Sequence, residues 1–276
     1  MSIKIVTDST AYIPVALLKK LDISVLSLSV SFGDEIYKET EISNEFYFEK
    51  LDQSEFFPKS SQPILSEVEE TFENILKAGH DLIGVFISSE MSGTYQSACM
   101  VANELKEKYP NRKIEMVDSR SNCMQLGLAV LKGAELLDSS FETVMDKINH
   151  VIQHSRFVFI PDTMEYLKRG GRIGSAKALL SSVLQIKPIL TVADGKTSVL
   201  GKVRTRKKAL QSMIDILRED QKDNRITGGY VHHIHCLEDA KSFSDQLGES
   251  FEITAIGPVI GTHVGPGAIG VAYCWE

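Results

Sequence analysis

The sequence has no run of about 18 consecutive apolar residues, the length a helix needs to cross a bilayer, so no helical membrane span is expected. The opening stretch MSIKIVTDST has too short an apolar segment for a signal peptide and no cleavage site, which predicts no export. Cysteine is scarce. Cys99, Cys123, Cys236 and Cys274 have no CxxC spacing, so they read as thiols in a reducing cytoplasm and not as a disulfide framework. No asparagine begins a glycosylation sequon, in keeping with that compartment. Positive charge is not in excess: Lys and Arg number 30 against 37 Asp and Glu, a net charge of −7, which argues against a nucleic-acid partner. Nucleotide loops are missing as well. GKTS (195–198) resembles the end of a phosphate-binding loop, but Leu190 stands where the leading glycine belongs, and no GxGxxG follows the first strand.

What is present is an ordinary globular composition, 43% hydrophobic and 24% charged over 276 residues, long enough for two domains. The first half alternates strand and helix signals. IKIVTDS (3–9), ISVLSLSVSF (23–32), LIGVFIS (82–88) and KIEMVDS (113–119) read as strands. Helices are predicted behind Pro14, over 66–80 with Val68, Phe72, Ile75 and Leu76 as one stripe, over 96–109, and twice between Asn122 and His154. Ser66 with Glu69, and Ser139 with Glu142, have the spacing of capping pairs. This alternation predicts a mostly parallel, doubly wound sheet over residues 1–155.

From 156 the pattern changes. FVFIPDT is a strand, MEYLKRGGRIG a helical turn stopped by glycines, SAKALLSSVL a helix, and two β runs flank Asp194-Gly195, a strong hairpin signal. A helix after Thr205, a strand GGYVHHIH, a helix LEDAKSFSDQL and a strand FEITAIGPVI follow. The expected architecture is therefore an α/β chain whose second domain, 156–276, carries antiparallel strands.

Three polar stretches are candidate sites. In ISSEMSGTYQSA, Ser88, Ser89, Ser92 and Thr94 surround Gly93 at a strand-to-helix junction, where unpaired N–H groups and the helix dipole favour an anion. In KSSQPI, Ser60 and Ser61 precede a helix and serve either as its cap or as part of the same anion site. In GTHVGPGAIG, His263 sits among glycines on what reads as a loop, able to donate to an anion or to titrate. His232, His233 and His235 alternate along a strand. Two imidazoles could bind zinc only with carboxylate or thiolate help, and Cys236 projects away from them, so they read as surface or interface residues with no metal. A serine hydrolase assembled from Ser92, His263 and Asp8 or Asp118 is the competing reading, although EMSGTY is not the Gly-x-Ser-x-Gly elbow. GKVRTRKK is a basic stretch in an acidic chain, either a solvated face or an interaction surface.

TDST, SSQP, ISSEMSGTYQSA, VDSR, RGGRI, VRTRKKAL and GPVIGTHVGPGAIG occur in the order found in the DegV family, spanning nearly the whole chain. The sequence resembles its fatty-acid-binding members, which are similar to the binding subunits of a two-component bacterial fatty acid kinase. The resemblance implies a cytoplasmic, non-enzymatic protein without a cofactor. Such a protein holds a long-chain fatty acid and presents its carboxylate to a separate ATP-using catalytic subunit, whose acyl phosphate feeds phospholipid metabolism. Transient contact with a membrane is compatible with such a cargo. The carboxylate site implied is Ser60, in place of the more usual threonine, with Ser61, Ser92, Gly93, Thr94, His263 and Arg172; Ile64 departs from a frequent serine. Arg204 and Arg206 of the basic stretch would face the kinase. The tail pocket is expected to use aliphatic and aromatic residues of the second half.

Overall fold

The computed structural model describes residues 2–181, 186–249 and 251–276. Strands β1 (Ile3–Asp8), β2 (Ser24–Leu26), β6 (Asp81–Phe86) and β7 (Ile114–Asp118) form an all-parallel sheet in the order β2-β1-β6-β7. Its strands read as nearly unbroken apolar runs because both faces are covered. Helices Leu65–Lys77 and Thr94–Lys108 cover one face through Val68, Phe72, Ala98 and Val101, packed on Val6 and Leu82. Helix Cys123–Ala134 covers the other face and touches the second sheet too, which is why eleven of its twelve residues are buried and its sequence is apolar all round.

The second sheet has six strands in the order β10-β9-β8-β13-β11-β12: β8 (Ser155–Ile160), β9 (Lys187–Ala193), β10 (Lys196–Val203), β11 (Ile226–His233), β12 (Glu252–Ala255) and β13 (Ile269–Trp275). Every pairing is antiparallel except β11 with β12. Asp194 (φ 51°) and Gly195 (φ 78°) turn β9 into β10 with both central residues left-handed, as the hairpin signal requires. Thr205 caps the helix Arg206–Asp223, its hydroxyl accepting from Lys208 N at 3.3 Å. The α/β architecture, with a parallel sheet in the first half and a mostly antiparallel one in the second, is the expected one.

Several local expectations fail for identifiable reasons. The run 23–32 is not one strand. It breaks at Ser27 and Leu28, where Ser9 Oγ accepts Leu28 N (3.1 Å) and Ser27 Oγ accepts Thr40 N (3.2 Å), so β3 (Ser29–Phe32) leaves for a third, antiparallel sheet with β4 (Glu35–Lys38) and β5 (Lys59–Ser61). The helix Leu65–Lys77 has no side-chain cap, so Ser66 and Glu69 do not act as a capping pair. Ser140, not Ser139, caps the helix Phe141–Gln153, with Oγ 3.1 Å from Thr143 N. In FEITAIGPVI only the first half is strand. Pro258, with its preset φ and no N–H to satisfy, opens a short helix, Pro258–Val264. That helix includes His263, so the histidine ends a helix and does not sit on a loop. The predicted helix over SAKALLSSVL is a 3₁₀ helix, Gly174–Ser181, and its remainder lies outside the described residues.

A buried glutamate fixes the start of the Pro258–Val264 helix. Glu39 Oε1 accepts Val259 N (2.8 Å) and the Tyr12 hydroxyl (2.8 Å), and Tyr12 in turn accepts Ile260 N (3.2 Å). Burial pushes the Glu39 pKa up to about 7. Farther along, Tyr47 Oη and Thr262 Oγ1 meet at 2.9 Å, so the helix is pinned at several points along its length.

Candidate functional site

The strand-end loops of the parallel sheet face the second sheet across a cavity of about 320 Å³. Ligands collect at such carboxyl ends because helix N-termini converge there. Most of the cavity wall is apolar. Phe157, Phe159, Leu167, Ile260 and Val264 contribute to it from the second half, and Leu28, Ile87 and Met91 join from the first, so the wall is shared between the halves and not confined to the second.

The Ser92 turn is set by a buried carboxylate. Asp8, at the end of β1, accepts Ile87 N (2.8 Å) and both Thr10 N (2.9 Å) and Thr10 Oγ1 (2.5 Å), which ties the start of the loop to the neighbouring strand. Ser88 C=O then accepts Met91 N and Ser92 N, closing the turn. Ser88 itself does not face the cavity; its hydroxyl donates to Gly195 C=O at 2.7 Å and anchors the hairpin, while Ser89 N donates to Asp118. Of the four hydroxyls in this stretch, only Ser92 lines the cavity. Thr94 stands behind it, its Oγ1 2.9 Å from Ser92 Oγ, so it positions the serine and does not reach the cavity.

Gly93 lets a second turn approach. An added Cβ would overlap Gln62 Oε1, and Gln62 Nε2 donates to Ser97 Oγ at 2.8 Å, so Gln62 bridges the Ser60 turn to the helix that follows Ser92. Ser60 and Ser61 of β5, and Gln62 just after it, all line the cavity. Ser60 Oγ lies 2.7 Å from His263 Nε2. Gly170 makes room for the other side of that ring, since a Cβ there would overlap Nδ1. Burial, and then the nearby Arg172 charge, hold the His263 pKa down at about 4, so the imidazole is neutral at pH 7. When Nε2 carries the proton, it donates to Ser60 and leaves the Ser60 proton free for a ligand.

Arg172 completes the mouth. Its Nε donates to Met91 C=O (3.0 Å) and Nη1 to Gly170 C=O (2.8 Å), which aims the guanidinium from the glycine turn. Among the described residues no carboxylate pairs with it. The structure therefore gathers Ser60, Ser61, Ser92, Gly93, Arg172 and His263 at one cavity. Arg204 and Arg206 lie elsewhere. Arg204 is exposed, whereas Arg206 bonds Asp239 (3.1 Å) and Gly267 C=O (2.8 Å), an engagement within the chain.

The hydrolase triad is not assembled. His263 Nε2 contacts Ser60 and not Ser92, Asp8 and Asp118 are occupied by backbone N–H groups, and Ser92 contacts Thr94. The three histidines do not share one environment. His232 (2% exposed) lines the cavity and His233 is buried, so neither is a surface residue, whereas His235, just past the end of β11, is exposed as expected, its ring 4.7 Å from that of Phe48. Sequence reasoning also left out Met91, Asn122 and Cys123, which line the cavity; Asn122 and Cys123 follow a strand whose end was visible, and that position was the available signal.

An α/β chain with an apolar cavity and a donor-rich mouth has the architecture of a protein that holds an amphiphilic small molecule. The chain belongs to the DegV family: the model described as "Uncharacterised protein, DegV family" matches residues 2–276. A DegV domain-containing protein of Clostridium acetobutylicum is 46% identical over 282 residues, covering 100% of this chain and 99% of that one. A DegV family protein from Thermus thermophilus described for its fatty acid binding superposes with a TM-score of 0.91 at 30% identity, covering 100% of both chains. A stearic-acid-binding protein from Eubacterium ventriosum gives a TM-score of 0.89 at 29% identity, covering 99% of this chain and 98% of that one.

Proposed function

We propose that this protein binds a long-chain fatty acid and presents its carboxylate to a separate, ATP-using kinase subunit for conversion to an acyl phosphate. The observation that carries the reading is the union, in one cavity, of an apolar wall with a mouth of neutral donors and a guanidinium that has no carboxylate partner among the described residues. Burying a dozen methylenes at ~0.8 kcal/mol each gives a gross gain near 10 kcal/mol, from which association and ordering are subtracted. An unpaired buried carboxylate would offset several kcal/mol of that gain. Ser60, Ser92 and the Gly93 backbone, with Ser61 beside them, supply hydrogen bonds to the carboxylate, and Arg172 supplies the opposite charge. His263 orients Ser60, and Thr94 orients Ser92. The DegV relatives from Thermus thermophilus and Eubacterium ventriosum that bind fatty acids share this fold over nearly their full lengths, which supports the reading.

Presentation fits a mouth whose donors sit at the surface end of the cavity, on a chain without a familiar nucleotide loop. Arg204, exposed, is the docking cation; Arg206 supports that region through its ion pairs. Two measurements test the proposal. Native mass spectrometry of the purified protein, before and after added stearic acid, should show a bound acyl chain, and the loaded protein mixed with ATP and the kinase subunit should yield acyl phosphate. Persistent failure to bind any acyl chain would overturn the binding step; binding without product would overturn presentation.

A further inference from the structure

His232 is a polar group in an apolar place. Strand β11 carries it into the cavity wall beside Ile234, opposite Gly270 of β13. It is 2% exposed, and among the described residues neither Nδ1 nor Nε2 has a hydrogen-bond partner. Burial, with a smaller contribution from His233, lowers its pKa to about 3. The ring is therefore neutral at pH 7, with one N–H donor and one bare acceptor nitrogen. Phe157, 5.0 Å away between centroids and tilted at 64°, offers only a π face, a weak acceptor. Gly270 keeps this part of the wall open, since a Cβ there would crowd Phe157 at 2.7 Å and Phe159 at 3.1 Å.

A wall meant for hydrocarbon alone is served by apolar side chains, as at Leu28, Phe159 and Leu167 of this cavity. A buried donor and acceptor without partners are costly, and native interiors rarely keep them without a use. The mouth donors at Ser60, Ser92 and Arg172 already account for a carboxylate. His232, on a different sheet, is a second polar contact point. The geometry points to a ligand whose chain carries a hydroxyl group that bonds the His232 imidazole: the cargo is a hydroxylated long-chain acid. This deepens the fatty-acid reading and rests on it. A hydroxyl suits the site because it both donates and accepts, so it satisfies whichever ring nitrogen faces it, whereas a methylene satisfies neither. His232 is then a specificity-determining residue for the chain, separate from the groups that hold the head.

Competitive displacement tests this, using stearic acid and a panel of monohydroxylated stearic acids that differ in the position of the hydroxyl. With the intact protein, at least one isomer should bind roughly tenfold more tightly than stearic acid, the gain expected of one satisfied buried hydrogen bond. His232→Leu should abolish that advantage, so that every hydroxylated isomer binds this variant no more tightly than stearic acid binds the same variant. His232→Gln, which keeps a donor and an acceptor, should retain part of it and guards against a folding defect in the leucine variant. Stearic acid binding with no gain from any hydroxylated isomer, or a gain that survives in His232→Leu, overturns this inference alone. Failure of every acid to bind overturns it together with the fatty-acid reading.

Discussion

Replacing Ser92 with alanine removes one hydroxyl from the mouth and little else. Ser92 is not the cap of the following helix, since Gly93 occupies that position and makes no side-chain bond. Its Oγ accepts Thr94 N at a long 3.4 Å and lies 2.9 Å from Thr94 Oγ1. When Thr94 donates in that pair, the Ser92 proton points to a ligand, and a carboxylate accepting it forms a charge-assisted bond worth ~1.5 to 3 kcal/mol. Fatty-acid affinity should therefore fall by about 10- to 150-fold in Ser92→Ala, with the unfolding free energy changing by less than about 1 kcal/mol because only a weak local bond is lost. Fluorescent fatty-acid displacement gives the first quantity and urea denaturation the second. Thr94→Val should weaken binding less, because Thr94 acts only through Ser92. An unchanged affinity in Ser92→Ala, or a loss matched by an equal loss of stability, would refute this placement of the head group.

Three further outcomes follow from the geometry. Burial raises the Glu39 pKa from 4.5 to about 7, so the folded state binds more protons than the unfolded state between those values, and stability from this group falls as pH rises through them, by on the order of 3 kcal/mol in total. Glu39→Gln keeps an acceptor for Val259 N and Tyr12 and should gain stability relative to the parent between pH 5 and pH 8 in denaturant titrations; parallel profiles would contradict it. Gly265 has φ +82° and ψ 166°, and a Cβ there would overlap the Tyr166 ring, so Gly265→Ala should lower unfolding free energy by ~2 to 4 kcal/mol, read by thermal melting. Arg204→Ala should leave melting temperature and fatty-acid affinity unchanged while lowering acyl phosphate yield with the kinase subunit, whereas Arg206→Ala, which breaks the Asp239 and Gly267 contacts, should lower the melting temperature.

Much of the fold was legible because its elements are periodic or punctuated. The stripe Val68, Phe72, Leu76 marks a helix face, and Asp194-Gly195 marks a hairpin whose two left-handed residues the structure contains. Strand β13 was missed for a physical reason. It lies in the middle of the six-stranded sheet with both faces buried, so IGVAYCW shows no alternation, and it begins inside a glycine-rich stretch. Strands β3, β4 and β5, of three or four residues each, are too short to show a period, and the break at Ser27 depends on a hydroxyl from residue 9. At the site, the hydroxyl turns and the glycine-flanked His263 were visible as motifs. Their convergence was not, because residues 60, 92, 172 and 263 meet only through the packing of three sheets. His232 shows the limit most clearly: strand alternation says which side chains share a face, and only the tertiary structure says that its face lines a cavity.

A crystal structure of the protein with stearic acid bound would locate both the head group and the chain. The carboxylate should lie within hydrogen-bond distance of Ser60 and Ser92 and near the Arg172 guanidinium, with the chain running inward past Phe157, Leu167 and Ile260. A carboxylate bound away from those residues, or a chain lying outside that cavity, would contradict it.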